Sequence, residues 1–187
     1  ESGNRSNHAG CVPTPGFICG QKFRILPGRS ASVTMRRILI FTDLDGSLLD
    51  TTTYSYEAAG EALALLDRLG APLILVSSKT RSEMEPLHRR LNNHHPFIVE
   101  NGGALFIPMG TFPFSIEEAS TRDGYAVVEI GTPYARLRTA LNGIREELGC
   151  RLRGFGDLTV EEVARLTGLS TAEALLATQR EYDEPFI

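Results

Sequence analysis

The chain has no tryptophan, three cysteines and only two lysines among its 187 residues. Each shortage excludes something. Cys11, Cys19 and Cys150 fall at irregular spacing, so they make neither an even disulfide framework nor a thiolate metal motif, and a reducing cytoplasm suits them best. No apolar run approaches the length needed to span a bilayer. With Lys22 and Lys79 the only lysines, the formal net charge is −4. That charge is uneven: residues 1–34 carry Arg5, Lys22, Arg24 and Arg29 against Glu1, which leaves −7 on the remainder. Such a surface suits neither nucleic acid nor anionic lipid. His8, His88, His94 and His95 share no ligand spacing with carboxylates or cysteines, and His94-His95 reads as a loop. What remains is ordinary for a globular chain of one domain or a little more, at 42% hydrophobic and 22% charged.

Residues 1–34 are rich in Gly, Pro, Ser and Asn and show no apolar periodicity. They lack the apolar core of a secretory signal and only faintly match a transit peptide, so they read as a flexible tail or non-native leader ahead of Met35. From there the chain alternates. Ile38-Leu39-Ile40-Phe41-Thr42 reads as a buried strand, followed by a helix through Ala59, Ala62, Leu63, Leu66 and Leu69 with Gly70 as its C-cap. Leu73-Ile74-Leu75-Val76 is a second strand, and overlapping capping boxes at Thr80/Glu83 and Ser82/Glu85 open a second helix. Pro86 favours the later of those two starts, or a kink. Phe97 to Glu100 makes a third strand, which turns at Asn101-Gly102-Gly103 and returns as Ala104 to Ile107. Strand, helix, strand, helix, strand predicts an α/β fold with a parallel sheet and right-handed crossovers. Beyond Pro108 the pattern changes: a Pro/Gly/Phe-rich loop, an alternating strand from Tyr125 to Ile130, a helix from Thr132-Pro133 to Gly149, and two short helices capped at Thr159/Glu162 and Ser170/Glu173. Residues 35–108 and 109–187 therefore read as two units.

The chemistry concentrates at the first strand's end. Asp43 and Asp45 are two residues apart, so in an extended chain both point to one side, beyond the carboxyl end of the strand where ligands sit in open α/β sheets. Gly46 lets the backbone turn close to whatever they hold. An Asp-Gly pair after a strand is also a common solvated hairpin. Here a helix follows instead of a returning strand, and a second strand ends in hydroxyls at Ser77 and Ser78. Those serines could cap the next helix or donate to a bound phosphate.

An apolar strand ending Asp43-Leu44-Asp45-Gly46-Ser47, with Leu48-Leu49 behind it, resembles the haloacid dehalogenase-like phosphatases. The resemblance implies a Rossmannoid parallel sheet with an inserted α+β cap, in which residues 35–108 begin the core and 109–187 the cap. It implies Mg2+, held by the Asp43 side chain, the Asp45 backbone carbonyl and acids nearer the C-terminus. Asp43 would attack phosphorus to form an aspartyl-phosphate, Asp45 would serve as acid and then base, and Ser77 would bind a phosphoryl oxygen with Gly46 beside it. A narrower likeness is to the mannosyl-3-phosphoglycerate phosphatases, through Ser77-Ser78-Lys79-Thr80-Arg81, Glu100-Asn101-Gly102-Gly103-Ala104 and Arg180-Glu181-Tyr182-Asp183-Glu184-Pro185-Phe186. It implies a small phosphorylated sugar-glycerate as substrate, with Lys79, Glu100, Asn101, Gly102 and Arg180 as candidate contacts. Arg180 could equally form a structural pair with Asp183 or Glu184. Glucosyl-3-phosphoglycerate and sucrose phosphate are the alternative substrates of the same superfamily.

Two of that superfamily's elements are not found: a lysine following the cap, and a Gly-Asp-x-x-x-Asp run. Gly156-Asp157 with Glu161 imitates the latter, but Arg151-Leu152-Arg153-Gly154 ahead of it is no buried strand. The chain is accordingly expected to stop inside or soon after a cap. Taken alone it is expected to be inactive and poorly folded, with Ile38 to Thr42 as an exposed sheet edge. A rival of another class is a DNA-binding helix-turn-helix over Val160 to Ser170. Residues 157–187 hold seven acids against Arg165 and Arg180, which disfavours it, and a structural helix pair is the better account.

Overall fold

A computed structural model describes residues 38–187; the reading of residues 1–34 as a tail, with Cys11 and Cys19, falls outside the described residues. Strands β1 (Ile40–Thr42), β2 (Leu73–Val76) and β3 (Phe97–Val99) are parallel neighbours. Helices α1 (Gly60–Leu69) and α2 (Arg81–Arg90) make the crossovers. β4 (Ala104–Pro108) returns antiparallel to β3, and β5 (Ser120–Arg122) and β6 (Tyr125–Glu129) extend the same sheet in the order β1-β2-β3-β4-β6-β5. Pro108 itself pairs with Tyr125, so the sheet runs across that position without a break. Helices α3 (Tyr134–Leu148), α4 (Val160–Thr167) and α5 (Thr171–Ala177) follow, and α5 packs against both α4 and α2. Among the described residues no helix is long and apolar enough to cross a membrane.

The local signals explain most of these bounds. Gly70 and Gly149 close α1 and α3 in the left-handed conformation, at φ 58° and 60°. Thr80 caps α2: its N–H donates to Glu83 Oε2 at 2.8 Å, and the Glu83 N–H donates to Thr80 Oγ1 at 3.2 Å. The later start expected from Pro86 is not taken, and Pro86 lies inside the helix. The hydroxyl of Ser82, the alternative cap, instead donates to Gln179 Oε1 at 2.6 Å. Strand β5 is absent from the sequence reading. Its signal is Asp123-Gly124, whose φ values of 49° and 84° suit the two-residue hairpin turn joining it to β6.

The core gathers between the sheet and its helices. Phe97 and Phe106 stack with centroids 5.4 Å apart, and Tyr125 meets them edge-on at 5.6 and 5.7 Å. Leu44, Leu75, Met84, Val99 and Val127 are fully buried in the same cluster. Each such side chain contributes about 1.5–3 kcal/mol. β1 differs from its reading as a buried strand. Among the described residues it pairs only with β2, and Ile38, Leu39 and Phe41 are 50%, 52% and 59% exposed. The edge position expected of Ile38 to Thr42 is thus the one observed.

A buried carboxylate ties the last residues to the sheet. Glu100, 2% exposed at the end of β3, accepts backbone N–H bonds from Glu181 at 3.0 Å, Tyr182 at 2.7 Å and Asp183 at 2.8 Å. Burial pushes its carboxyl above the ordinary carboxylate range, while those three donors pull the other way. Gly103 makes the approach possible, since a Cβ there would collide with Tyr182 Cβ. The Tyr182 hydroxyl donates to Glu129 Oε1 at 2.6 Å and accepts from Arg122 at 2.8 Å. Burial and the Glu129 carboxylate push that phenol up to about 12.

Glu100→Ala leaves three backbone donors facing a void and is expected to lower stability by about 3 kcal/mol or more in denaturant titration. Glu100→Gln, which keeps an acceptor, should lose less. A second expectation concerns pH. His88 is buried against Phe97, donates from Nε2 to His95 O at 2.7 Å, and is held below its ordinary 6.5 by burial. Below pH 6.5 the unfolded chain binds a proton that the folded imidazole resists, so stability should fall as pH drops through 6.5. His88→Phe should show a shallower slope of melting temperature between about pH 7 and 5.

Candidate active site

The strand-end turn places the paired carboxylates by alternation. Leu44 is fully buried, while Asp43 and Asp45 on either side of it are exposed. Leu48 and Leu49, both buried, anchor the turn beneath them. Leu49 N–H donates to Leu44 O at 2.8 Å, Leu48 N–H to Asp43 O at 3.3 Å, and Gly46 N–H to Leu49 O at 3.0 Å. Gly46 sits at φ 73°, where a side chain would be strained and its Cβ would meet Thr51 Cγ2 at 3.2 Å.

Ser77 ends the neighbouring strand. The register pairs Thr42 with Leu75 in parallel strands, so Asp43 and Ser77 both follow at the same end of the sheet. It is buried, and its Oγ accepts the Lys79 N–H at 3.2 Å. Capping α2 falls to Thr80, so Ser77 is not the helix cap.

Lys79 joins this group directly: its Nζ is 3.4 Å from Asp45 Oδ2 and 5.5 Å from the Tyr54 ring centroid. Tyr54 was not singled out in the sequence. Its signal was the run Asp50-Thr51-Thr52-Thr53, whose aspartate folds the turn on itself.

The remaining candidates gather one strand further along. Glu100 spends its carboxylate on the backbone of residues 181–183. Asn101, at φ 57°, donates from Nδ2 to Asp183 Oδ2 at 3.3 Å, and Gly102 follows at φ 94°. Arg180 pairs with Asp183 Oδ1 at 2.8 Å, donates to Ser78 O at 2.8 Å and to Ala177 O at 2.9 Å, and lies over the Phe155 ring. Of the two partners expected for it, the structure chooses Asp183. Together these residues brace the loop from Ser77 to Thr80. Asp157 has a structural partner set as well, bonding Arg138 and Arg145 and accepting Gly154 N–H at 2.9 Å. Arg138 above all holds its carboxyl well below the usual range.

Asp43 and Asp45 are hard oxygen donors of the type Mg2+ selects, with room for water and substrate oxygens beside them. Among the described residues no group of three or more His, Cys, Asp or Glu side chains forms a fuller ligand shell. In donor type the pair fits the ion.

The sequence pattern of the haloacid dehalogenase-like hydrolases matches residues 40–111, which span the turn, Ser77, Lys79 and the Glu100 loop. A protein of Methanococcoides burtonii named glucosyl-3-phosphoglycerate/mannosyl-3-phosphoglycerate phosphatase is 50% identical over 148 residues, covering 79% of this chain and 54% of that protein. A protein of Persephonella marina with the same name is 41% identical over 150 residues, covering 80% and 55%. The mannosyl-3-phosphoglycerate phosphatase of Pyrococcus furiosus is 39% identical over 146 residues, covering 78% and 58%. The chain thus spans a little over half the length of these relatives. With its paired strand-end carboxylates, its α/β sheet and these likenesses, the chain belongs to the haloacid dehalogenase-like hydrolases.

Proposed function

We propose that these residues form the phosphoryl-transfer half of a magnesium-dependent phosphatase acting on mannosyl-3-phosphoglycerate. The observation that carries the reading is the pair Asp43 and Asp45, both exposed just past the β1 end, at the same end of the sheet as Ser77. The names of the relatives support the substrate class.

In this reading Asp43 attacks phosphorus and the ester bond to the leaving alcohol breaks, leaving an aspartyl-phosphate. Asp45 gives its proton to the departing oxygen, then takes one from the water that releases phosphate. Ser77 spends its lone pair on Lys79 N–H, so its own hydrogen is free for a phosphoryl oxygen. Bound Mg2+ supplies charge neutralisation between the carboxylate and the phosphate dianion. Residues 35–108 act as the core part and 109–187 as part of a cap, in a cytoplasmic enzyme of mannosylglycerate synthesis.

The relatives at 50% and 41% identity are named for both glycosyl groups, which favours a site that also accepts glucosyl-3-phosphoglycerate. Sucrose phosphate has no such support.

In the enzyme that carries these residues, Asp43→Asn should abolish phosphate release while the fold persists, because the amide is nearly isosteric. Asp45→Asn should lower kcat/KM most on the sugar-glycerate ester and least on activated aryl phosphates, whose leaving groups need no proton. Equal losses on the two ester types would remove the acid role. Higher kcat/KM on simple hexose phosphates than on the two glycosyl-3-phosphoglycerates would overturn the substrate.

A further inference from the structure

Beside the paired carboxylates, a groove of about 560 Å³ opens between the turn after β1 and the loop joining α4 to α5. We propose that this groove is the leaving-group subsite, with the Tyr54 ring as the platform on which the sugar of a glycosylated phosphate ester lies. The inference rests on the phosphatase reading above and names the part of that site that selects a glycosylated ester.

Tyr54 is built to present its ring. It is a non-glycine residue at φ 53°, a sparsely populated conformation that persists only where its surroundings enforce it. The enforcement is the Asp50 turn. Asp50 Oδ1 accepts from Thr52 N–H at 3.0 Å, Thr53 N–H at 2.8 Å and Thr53 Oγ1 at 3.0 Å. Tyr54 N–H donates to Asp50 O at 3.0 Å, and Asp50 N–H to Ser55 O at 2.9 Å. The side chain so held does not enter the core: it is 46% exposed. Among the described residues its hydroxyl meets no partner, so the turn holds the ring in the open without a hydrogen bond of the ring's own.

The ring faces Lys79. The same ammonium lies against Asp45 and over the Tyr54 ring, so Lys79 links the ring to the group assigned to protonate the leaving oxygen. Across the groove, Leu169 and Leu176 supply an apolar wall. Glu83 and Glu173 border it, but each carboxylate is turned to cap its own helix, at Thr80 and Ser170. Arg90 also lines the groove, and among the described residues no carboxylate pairs with it. A sugar ring has apolar faces and a rim of hydroxyls. An aromatic platform with apolar walls and a few charged groups at the margin matches that pattern. Lys79, between platform and acid, is placed to receive the carboxylate of the glycerate.

The test uses the unphosphorylated product, mannosylglycerate, with glycerate as the sugar-free comparison, both titrated calorimetrically. Tyr54→Gly removes the ring and, because glycine accepts φ 53°, should not lower the melting temperature. It is expected to weaken mannosylglycerate binding about tenfold or more, and to weaken glycerate binding far less. Tyr54→Phe, which keeps the ring, should retain most of the affinity for mannosylglycerate. Equal weakening toward both ligands by Tyr54→Gly overturns the platform, as does failure of the unaltered protein to bind mannosylglycerate. Sugar-selective loss of binding in Tyr54→Gly supports it, even where the enzyme releases no phosphate from the glycosyl ester. That last result would defeat the phosphatase reading and leave the subsite standing.

Discussion

One buried carboxylate holds the arrangement together. Glu100 takes three backbone N–H groups from residues 181–183 and so joins that segment directly to the strand-end loops. Around that clasp, Arg180 reaches the Ser78 carbonyl, Thr80 Oγ1 donates to Leu176 O at 3.0 Å, and Arg81 pairs with Asp123 at 2.9 Å and Glu181 at 3.6 Å. The loop from Ser77 to Thr80 is therefore gripped from the side opposite β1. Its shape is set by the far end of the sequence, and the groove wall at Leu176 comes with it. A buried acid of this kind is weak as a source of net stability and strong as a source of geometry, because every alternative leaves donors unmet.

The second constraint is the burial of Leu44 in the turn after β1. Leu44 must face the core, so Asp43 and Asp45 cannot. Both carboxyl groups are held in the open past the strand end, and the cation that the described structure brings beside Asp45 is Lys79. Lysine beside Asp45 and tyrosine beside lysine make a short series from the carboxylates outward into the groove. Turn chemistry at Asp50 fixes its outer member. The order of the series follows the order of events in the proposed reaction, from phosphorus to leaving oxygen to the remainder of the ester.

Much of this was legible before any coordinates. The i, i+2 aspartates, the parallel β1-β2-β3 alternation and the capping boxes at Thr80, Thr159 and Ser170 are local signals, and local physics placed them. Three things were not legible, each for a different reason. Between the two starts for α2, the hydroxyl of Ser82 is taken by Gln179, a contact between residues 97 positions apart that no capping rule contains. Glu100 looked like a ligand contact because a buried, backbone-saturated acid and an active-site acid have the same letter in a sequence. Tyr54 left no periodic trace, since a positive φ in a four-residue turn is visible only once the backbone is drawn. The edge position of β1, by contrast, could be anticipated from the strand order implied by the family resemblance, although composition alone suggested burial.

The central claim is that Asp43 carries the phosphoryl group. Acid quenching of the enzyme during turnover of ester labelled in its phosphate, followed by peptide mapping, tests it most directly. The account predicts an alkali-labile label confined to the peptide containing Asp43 and absent from Asp43→Asn. A label on another residue, or one that persists in Asp43→Asn, would contradict it.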